Sequence, residues 1–174
     1  MGDDGVLATG RFLRLVCRDG WEYVERINGN PPVGIVAVTP QGSILLVEQF
    51  RRPLGRTCIE LPAGLVGDLT GQENEAVKVA AARELEEETG YRPASVELLT
   101  EGPSSAGLTS ETIRLVRATD LMKVSAGGGD ESEDIIVHEV PLAEVAAWLD
   151  ERRQAGVPID AKVYAGLWFA GVRR

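Results

Sequence analysis

The chain has 174 residues, of which 44% are hydrophobic and 26% charged, so it can form one domain with a sizeable core. Its formal net charge of −9, from 18 basic and 27 acidic residues, disfavours a nucleic-acid backbone as a partner. No signal peptide and no long apolar run appears, so we expect neither secretion nor a membrane span. Cys17 and Cys58 fit no metal-ligand spacing, which indicates reduced thiols in the cytoplasm.

The first part of the chain is predicted to consist mainly of strands. Residues 1–10 show no hydrophobic period and are expected to form a mobile end. Asp19-Gly20 is a strong hairpin signal, and Pro40-Gln41-Gly42 predicts a second hairpin. The predicted strands are Arg11–Cys17, Trp21–Ile27, Val33–Thr39, Ser43–Gln49 and Thr57–Leu61.

The second part of the chain is predicted to mix helices and strands. A helix runs from about Asn74, a suitable N-cap residue, to Thr89, and Gly90 ends it. A further helix starts at Pro141 and runs to about Gln154, and Asp160 caps a last one. The remaining predicted strands are Ser95–Thr100, Glu111–Ala118 and Ile135–Val140. Together these elements predict an α+β fold, a mixed β-sheet covered by helices and preceded by an N-terminal antiparallel strand pair.

The helix that ends at Gly90 carries an unusual concentration of carboxylates, Glu84, Glu86, Glu87 and Glu88. Like charges one helical turn apart repel each other unless a cation lies among them. At 100° per residue, Glu84, Glu87 and Glu88 lie within one narrow arc, whereas Glu86 points elsewhere. The sequence thus offers two interpretations, a solvated acidic face or a metal-binding face.

The apolar row of the same helix bears on this choice. Val77, Ala81 and Leu85 form the row, and Glu88 continues it, so the acidic cluster lies at the edge of the apolar stripe. Half-buried carboxylates need a partner, and the charge of Arg83 is too small for three of them. A hard divalent cation, Mg²⁺ or Mn²⁺, would satisfy them, although a solvated face remains open on this observation alone.

The spacing Glu75-x7-Arg83-Glu84-Leu85-x-Glu87-Glu88-x-Gly90-Tyr91 resembles the Nudix box of Nudix hydrolases. One position departs from the pattern, because Leu69 stands where the family usually has Gly, in a loop from Pro62 to Asn74 that looks lengthened. The resemblance implies an α/β/α sandwich. It divides the chain into an N-terminal tail and strands, residues 1–32, that form a dimer interface, and a Nudix hydrolase domain, residues 33–174.

The same resemblance implies the reaction and the metal ligands. Nudix hydrolases use Mg²⁺ to split a nucleoside diphosphate linked to another group. Glu84, Glu87 and Glu88 are implied as ligands, Glu87 also counting among the catalytic residues, and the backbone carbonyl of Ala63 matches a further ligand. Arg83 is implied to act in catalysis by pairing with a box carboxylate and holding its rotamer.

A second stretch resembles the ADP-ribose pyrophosphatase branch of the family. It comprises residues 48–53 and 60–64, and it implies that Arg51 contacts the diphosphate through its planar fork of donors. Ser104–Glu111 also resembles this branch, but Ala106 replaces its proline marker. ADP-ribose is therefore the first expected substrate, with GDP-mannose or another nucleotide sugar as an alternative. A non-catalytic Nudix-like ligand-binding module is an alternative of another class.

A third resemblance to this branch concerns the acidic segment before the strand Asp134-Ile135-Ile136-Val137-His138. By register Glu131 matches the residue that activates water, and Glu133 is the second choice. A solvated acidic turn is the alternative interpretation. His138, the only histidine of the chain, is interpreted as structural.

The remaining substrate-binding candidates are Trp21, Arg26 and Glu111. Trp21 could stack on a nucleobase, although a tryptophan in a strand is more often part of a core or an interface. Arg26 could reach the same site, and Glu111 could contact the metal or the sugar or could simply open a strand. The branch commonly forms homodimers in which N-terminal strands cross between subunits, and we expect the same here.

Overall fold

The computed structural model describes residues 4–27, 31–67, 76–129 and 134–172. Over these ranges the chain forms twelve strands and three helices. The strands, β1 to β12 in chain order, are Gly5–Thr9, Leu13–Arg18, Trp21–Arg26, Pro32–Ala37, Ser43–Arg51, Arg56–Glu60, Ala63–Leu65, Tyr91–Arg92, Ser95–Pro103, Thr112–Thr119, Met122–Lys123 and Ile135–Pro141. The helices, α1 to α3, are Val77–Thr89, Val145–Gln154 and Ala161–Phe169.

Two sheets form the centre of the fold. The first has the order β7-β4-β10-β9 and is mixed, because β10 runs parallel to β4 and antiparallel to β9. The second has the order β12-β5-β6 and is antiparallel throughout. Two smaller sheets are the N-terminal β1-β2-β3 and the short pair β11-β8.

The core lies on both faces of these sheets. Val33 and Ile35 of β4 pack in the same cluster as Leu85 of α1. Val36, the next residue of the strand, packs in the opposite cluster, which contains Leu149 of α2. This alternation follows from the two-residue period of a strand, and each such burial contributes about 1.5–3 kcal/mol. Helix α1 therefore covers one face, and α2 and α3 cover the other. The predicted α+β fold, an α/β/α sandwich with a mixed sheet, is confirmed.

The N-terminal sheet confirms the first predicted hairpin and corrects one expectation. Strands β2 and β3 pair antiparallel around Asp19 and Gly20, whose φ angles of 51° and 77° suit a tight two-residue turn. The expectation of a mobile end is wrong for Gly5–Thr9, which pairs with β2 as a third strand. All five residues of β1 are exposed, so its sequence carries no period that could have revealed it.

The second predicted hairpin is wrong. Strands β4 and β5 belong to different sheets and share one isolated antiparallel bridge, between Val38 and Ile44. The turn at Pro40-Gln41-Gly42 thus carries the chain from one sheet to the other. Both strands are aliphatic and buried, so their sequences cannot distinguish these two connections.

Helix boundaries differ from the predictions by a few residues. Helix α1 begins at Val77, and the proposed N-cap Asn74 lies outside the described residues. Pro141 ends β12 rather than opening a helix, and α2 begins at Val145. Asp160 caps α3 as predicted, its Oδ1 accepting a hydrogen bond from the amide of Lys162 at 2.7 Å.

Two further expectations concern the compartment. Cys17 and Cys58 are buried free thiols. Among the described residues no helix combines the length and the hydropathy needed to cross a membrane.

Candidate active site

The four glutamates in the second half of α1, Glu84, Glu86, Glu87 and Glu88, lie in three different environments. Glu84 and Glu88 are buried, at 9% and 2% exposure, and Glu88 continues the row that includes the fully buried Leu85. The side chain of Glu87 is half exposed. Glu86 turns away and forms a two-pronged ion pair with Arg92, which lowers the pKa of Glu86. A uniformly solvated acidic face is therefore excluded.

The start of the short strand β7, Ala63–Leu65, lies directly on the two buried carboxylates. The amide of Ala63 donates to Oε2 of Glu88 at 3.0 Å. At the next residue, Gly64, an added Cβ would overlap the carboxyl carbon of Glu84. A side chain at position 64 would therefore displace the carboxyl group of Glu84, and the structure places Ala63, Gly64, Glu84 and Glu88 in one compact group.

Arg83 lies between two of the glutamates. Its Nη1 is 2.9 Å from Oε1 of Glu84 and 3.0 Å from Oε2 of Glu87. Its other terminal nitrogen, Nη2, is 3.5 Å from the carbonyl oxygen of Leu65. One guanidinium thus offsets the repulsion between carboxylates that are three residues apart on the helix.

A second arginine approaches the same group from β5. Nε of Arg51 is 2.6 Å from Oε1 of Glu60, and Nη2 is 2.7 Å from Oε2. These hydrogen bonds to Glu60 raise the pKa of Arg51 above its usual value, and the negative charge of Glu88 raises it further. Arg51 therefore lies within electrostatic reach of Glu88 on α1. No separate role was predicted for Glu60 from the sequence. A charged residue at the end of a buried strand is nevertheless a signal of a functional position.

The other predicted substrate-binding residues gather where β3 meets the loop before β10. Arg26 forms an ion pair with Glu111, and Nε1 of Trp21 donates to the carbonyl oxygen of Gly107 at 3.3 Å. The amide of Val24 donates to the carbonyl of Leu108 at 2.9 Å. Within the described residues, the hydrogen bonds and ion pairs of Trp21, Arg26 and Glu111 do not reach α1. Trp21 as a residue is 64% exposed.

Three predicted residues, Glu75, Glu131 and Glu133, lie outside the described residues. The chain that leads to the acidic segment is described up to Gly129, whose amide donates to the carbonyl of Glu87 at 3.1 Å. His138 makes a 3.0 Å contact with Glu48 through Nε2 and packs against the ring of Trp148.

The carboxylates of α1 do not already form a coordination sphere. Among the described residues no group of three His, Cys, Asp or Glu side chains converges closely enough to hold a metal ion. Instead the guanidinium of Arg83 lies between Glu84 and Glu87. The donor chemistry nevertheless fits a hard cation, because carboxylate oxygens are the ligands that Mg²⁺ and Mn²⁺ prefer.

The α/β/α sandwich, with two buried glutamates on a helix beneath a short strand that contains a glycine, defines the class as a Nudix-type domain. Residues 30–165 match the family model described as the NUDIX domain. The chain is 38% identical over 156 residues to a methanol dehydrogenase activator of Bacillus methanolicus, covering 83% of this chain and 80% of that protein. The chain belongs to the Nudix family of hydrolases.

Two further comparisons concern the branch within the family. An ADP-ribose pyrophosphatase of Bacillus subtilis (strain 168) is 36% identical over 121 residues, covering 69% of this chain and 63% of that protein. The fold matches a crystal structure of an ADP compounds hydrolase with a TM-score of 0.63 and 23% identity, over 86% of this chain and 84% of that one. The chain therefore resembles an ADP-ribose pyrophosphatase in sequence, and the solved structure shares its fold.

Proposed function

We propose that the protein hydrolyses the diphosphate bond of a nucleoside diphosphate sugar with the help of a divalent cation. The first substrate is ADP-ribose, which would give AMP and ribose 5-phosphate. The observation that carries this proposal is that Glu60 holds the Arg51 fork in place while the negative charge of Glu88 on α1 also acts on it. A guanidinium fork suits phosphate oxygens, and next to a cation site it would bind a diphosphate.

Glu84, Glu87 and Glu88, with the carbonyl of Ala63, are the proposed ligands of Mg²⁺ or Mn²⁺. The cation would neutralise the crowded charge of the diphosphate and so reduce its repulsion of an incoming water. Arg83 supports this assignment, because its guanidinium nitrogen already lies within 3.0 Å of oxygens from two of these side chains. Arg83 would continue to hold the rotamer of Glu87.

The remaining roles follow from the branch that the chain resembles. Glu131 is the proposed base that activates water, with Glu133 as the second candidate. Trp21 would stack on the nucleobase, and the ion pair of Arg26 with Glu111 would hold the neighbouring part of β3 in place. The exposure of Trp21 supports this role.

GDP-mannose is the alternative substrate, favoured by one observation. Ala106, which replaces the proline marker of the ADP-ribose branch, immediately precedes Gly107, whose carbonyl binds Trp21. A change at position 106 thus lies beside the proposed base-stacking residue and could alter the choice of nucleotide. A binding module without catalysis is the alternative of another class, and the presence of Glu84, Glu87 and Glu88 argues against it.

A panel of nucleotide sugars tests these proposals. Each compound is incubated with the protein and Mg²⁺ in the presence of a phosphatase that releases phosphate from the products but not from the intact sugar nucleotide. We expect ADP-ribose to be the fastest substrate and chelation by EDTA to stop the reaction. GDP-mannose as the fastest substrate would replace the first choice, and binding of the whole panel without turnover would establish the binding module.

We further propose that residues 1–32 form a homodimer interface and that the protein works in the cytoplasm. The dimer is supported by exposed apolar side chains of the N-terminal sheet and the turn within it: Val6, Leu7, Phe12, Leu13 and Trp21. An edge strand with both faces exposed, as in β1, favours pairing with another chain. The cytoplasm is supported by the two free thiols.

A further inference from the structure

The C-terminal end of α1 is capped by a segment far away in the sequence. An α-helix leaves its last four carbonyl groups without partners inside the helix, and nearby residues usually satisfy them. Here Gly90, with φ of 75°, donates to the carbonyl of Glu86 as a left-handed cap. The carbonyls that follow are bound by residues 123–129, which we call the C-terminal clamp.

Three groups of the clamp donate hydrogen bonds to the last three carbonyl groups of α1. The amide of Gly129 binds the carbonyl of Glu87 at 3.1 Å, and the amide of Gly128 binds that of Glu88 at 2.8 Å. The ammonium of Lys123 binds the carbonyl of Thr89 at 3.2 Å. The carbonyl acceptors therefore include those of the two glutamates proposed as cation ligands in the last turn.

Two glycines permit this close approach. A Cβ on Gly127 would lie 2.7 Å from the carbonyl oxygen of Glu88 and 2.7 Å from the amide nitrogen of Gly90. A Cβ on Gly90 would overlap the carbonyl oxygen of Ser125. All these atoms belong to the backbone, so a side chain at either position would separate the clamp from the helix.

The clamp also changes the electrostatics of the helix end. Carboxylates are disfavoured at a helix C-terminus because the macrodipole is negative there. The last turn of α1 contains Glu87 and Glu88 and no basic residue of its own. The amides of Gly128 and Gly129 and the ammonium of Lys123 supply the positive groups that this turn lacks.

We infer that Gly127 is a positioning residue for the cation site, acting through the clamp on Glu87 and Glu88. This inference rests on the proposed function. Without the clamp the last turn of α1 would loosen, and its two carboxylates would no longer be held in a common position. Loss of the groups that orient metal ligands commonly lowers metal affinity by about 10- to 100-fold.

Substitution of Gly127 by Ala tests the inference, with Gly156→Ala as the matched control. Gly156 has a φ of 82°, close to the 73° of Gly127, but a Cβ there meets no atom within 4 Å. Both variants thus carry a similar backbone strain, and only Gly127→Ala opens the clamp. The full chain is titrated with Mn²⁺ in the absence of substrate. The electron paramagnetic resonance signal of free Mn²⁺ then gives the affinity of each variant for the ion.

We expect Gly127→Ala to weaken Mn²⁺ binding on the order of tenfold and Gly156→Ala to leave it unchanged. Amide exchange of Gly128 and Gly129 should be slow in the wild type and fast in Gly127→Ala. If Gly127→Ala does not fold, Lys123→Gln, which removes the positive charge and shortens the donor side chain without backbone strain, should weaken Mn²⁺ binding in the same direction.

The outcomes separate this inference from the proposed function. If Gly127→Ala binds Mn²⁺ as tightly as the wild type, the positioning role is wrong and the proposed function is unaffected. The same holds for Lys123→Gln if that variant has to replace Gly127→Ala. A wild type that binds no Mn²⁺ overturns the cation site and the inference with it. A wild type that binds Mn²⁺ but hydrolyses no nucleotide sugar overturns the proposed reaction and leaves the positioning of Glu87 and Glu88 standing.

Discussion

Arg51 is held by Glu60 in a two-pronged ion pair, with nitrogen–oxygen distances of 2.6 and 2.7 Å. The two residues come from neighbouring strands, β5 and β6. Glu60 is buried at 5% exposure, whereas the side chain of Arg51 is 40% exposed. The buried carboxylate therefore fixes the orientation of an arginine that reaches towards solvent, where a diphosphate could bind it.

Glu60→Gln should impair substrate binding more than the chemical step. An amide can accept only one strong hydrogen bond from the Arg51 fork, so the arginine would lose its fixed orientation. We expect KM to rise by about tenfold with a smaller change in kcat, a loss of about 1.4 kcal/mol in binding. Glu101→Gln is the control, because Glu101 pairs with Arg114 at 2.8 Å on β9 and β10. A normal KM in Glu60→Gln would contradict the role of this pair.

Glu88→Gln and Glu87→Gln should remove most of the turnover while the fold remains intact. Each substitution keeps the volume of the side chain and removes a charge proposed to bind the cation. We expect kcat to fall by about 100-fold or more, by analogy with the loss of a metal ligand or its support. Near-normal rates in saturating Mg²⁺ would show that the carboxylate is not a ligand.

Glu86→Gln provides the matched control for these variants. Glu86 belongs to the same helix but pairs with Arg92 away from the site. Its substitution removes an equal charge from α1 without touching Glu84, Glu87 or Glu88. We expect activity within about twofold of the wild type, since an exposed ion pair contributes only about 0–1 kcal/mol.

Gly64→Ala should displace Glu84 and abolish activity with little loss of stability. The added Cβ would overlap the carboxyl group of Glu84, the flexible end of its side chain, so the fold can accommodate it by moving that group. Gly102→Ala on β9 is the control, because a Cβ there meets no atom within 4 Å. Thermal unfolding and turnover are measured for both variants. Full activity in Gly64→Ala would show that the position of Glu84 is not required.

Glu131→Gln should lower kcat strongly and leave substrate affinity almost unchanged. A general base contributes typically about 100- to 10,000-fold to the rate, and it acts on water rather than on the bound sugar nucleotide. Glu133→Gln is measured beside it. If only Glu133→Gln shows the loss, the register of the acidic segment before β12 differs from the predicted one.

The sequence was sufficient where a local pattern determines the structure. Glu88 follows the apolar row of α1, and its burial at 2% exposure could be expected from that period. The turn at Asp19-Gly20 and the cap at Asp160 depend on neighbours in the chain, and both were predicted. In each case the physical cause lies within a few residues.

The sequence was insufficient where the partner is remote. Strand β1 exists because it pairs with β2, and its exposed residues carry no signal of that pairing. The clamp on α1 joins residues that are 34 positions apart, as the bond from Lys123 to Thr89 shows. The pairing of Arg51 with Glu60 likewise required knowledge of which strands are neighbours.

Phe12→Asp should convert the proposed homodimer into a monomer. Phe12 is 62% exposed and lies between β1 and β2, among the apolar side chains proposed as the interface. A buried charge without a partner is costly, so placing a carboxylate in that interface should prevent association. Because the side chain is exposed within one chain, the variant should still fold. Light scattering after size-exclusion chromatography gives the mass.

Leu98→Asp is the control for the dimer, because Leu98 is also exposed, at 56%, but lies on β9. We expect the mass of this variant to equal that of the wild-type dimer. A monomeric wild type would contradict the proposed homodimer. If Leu98→Asp dissociates the dimer and Phe12→Asp does not, the interface lies on β9 rather than on the N-terminal sheet, and the apolar residues of that sheet need another explanation.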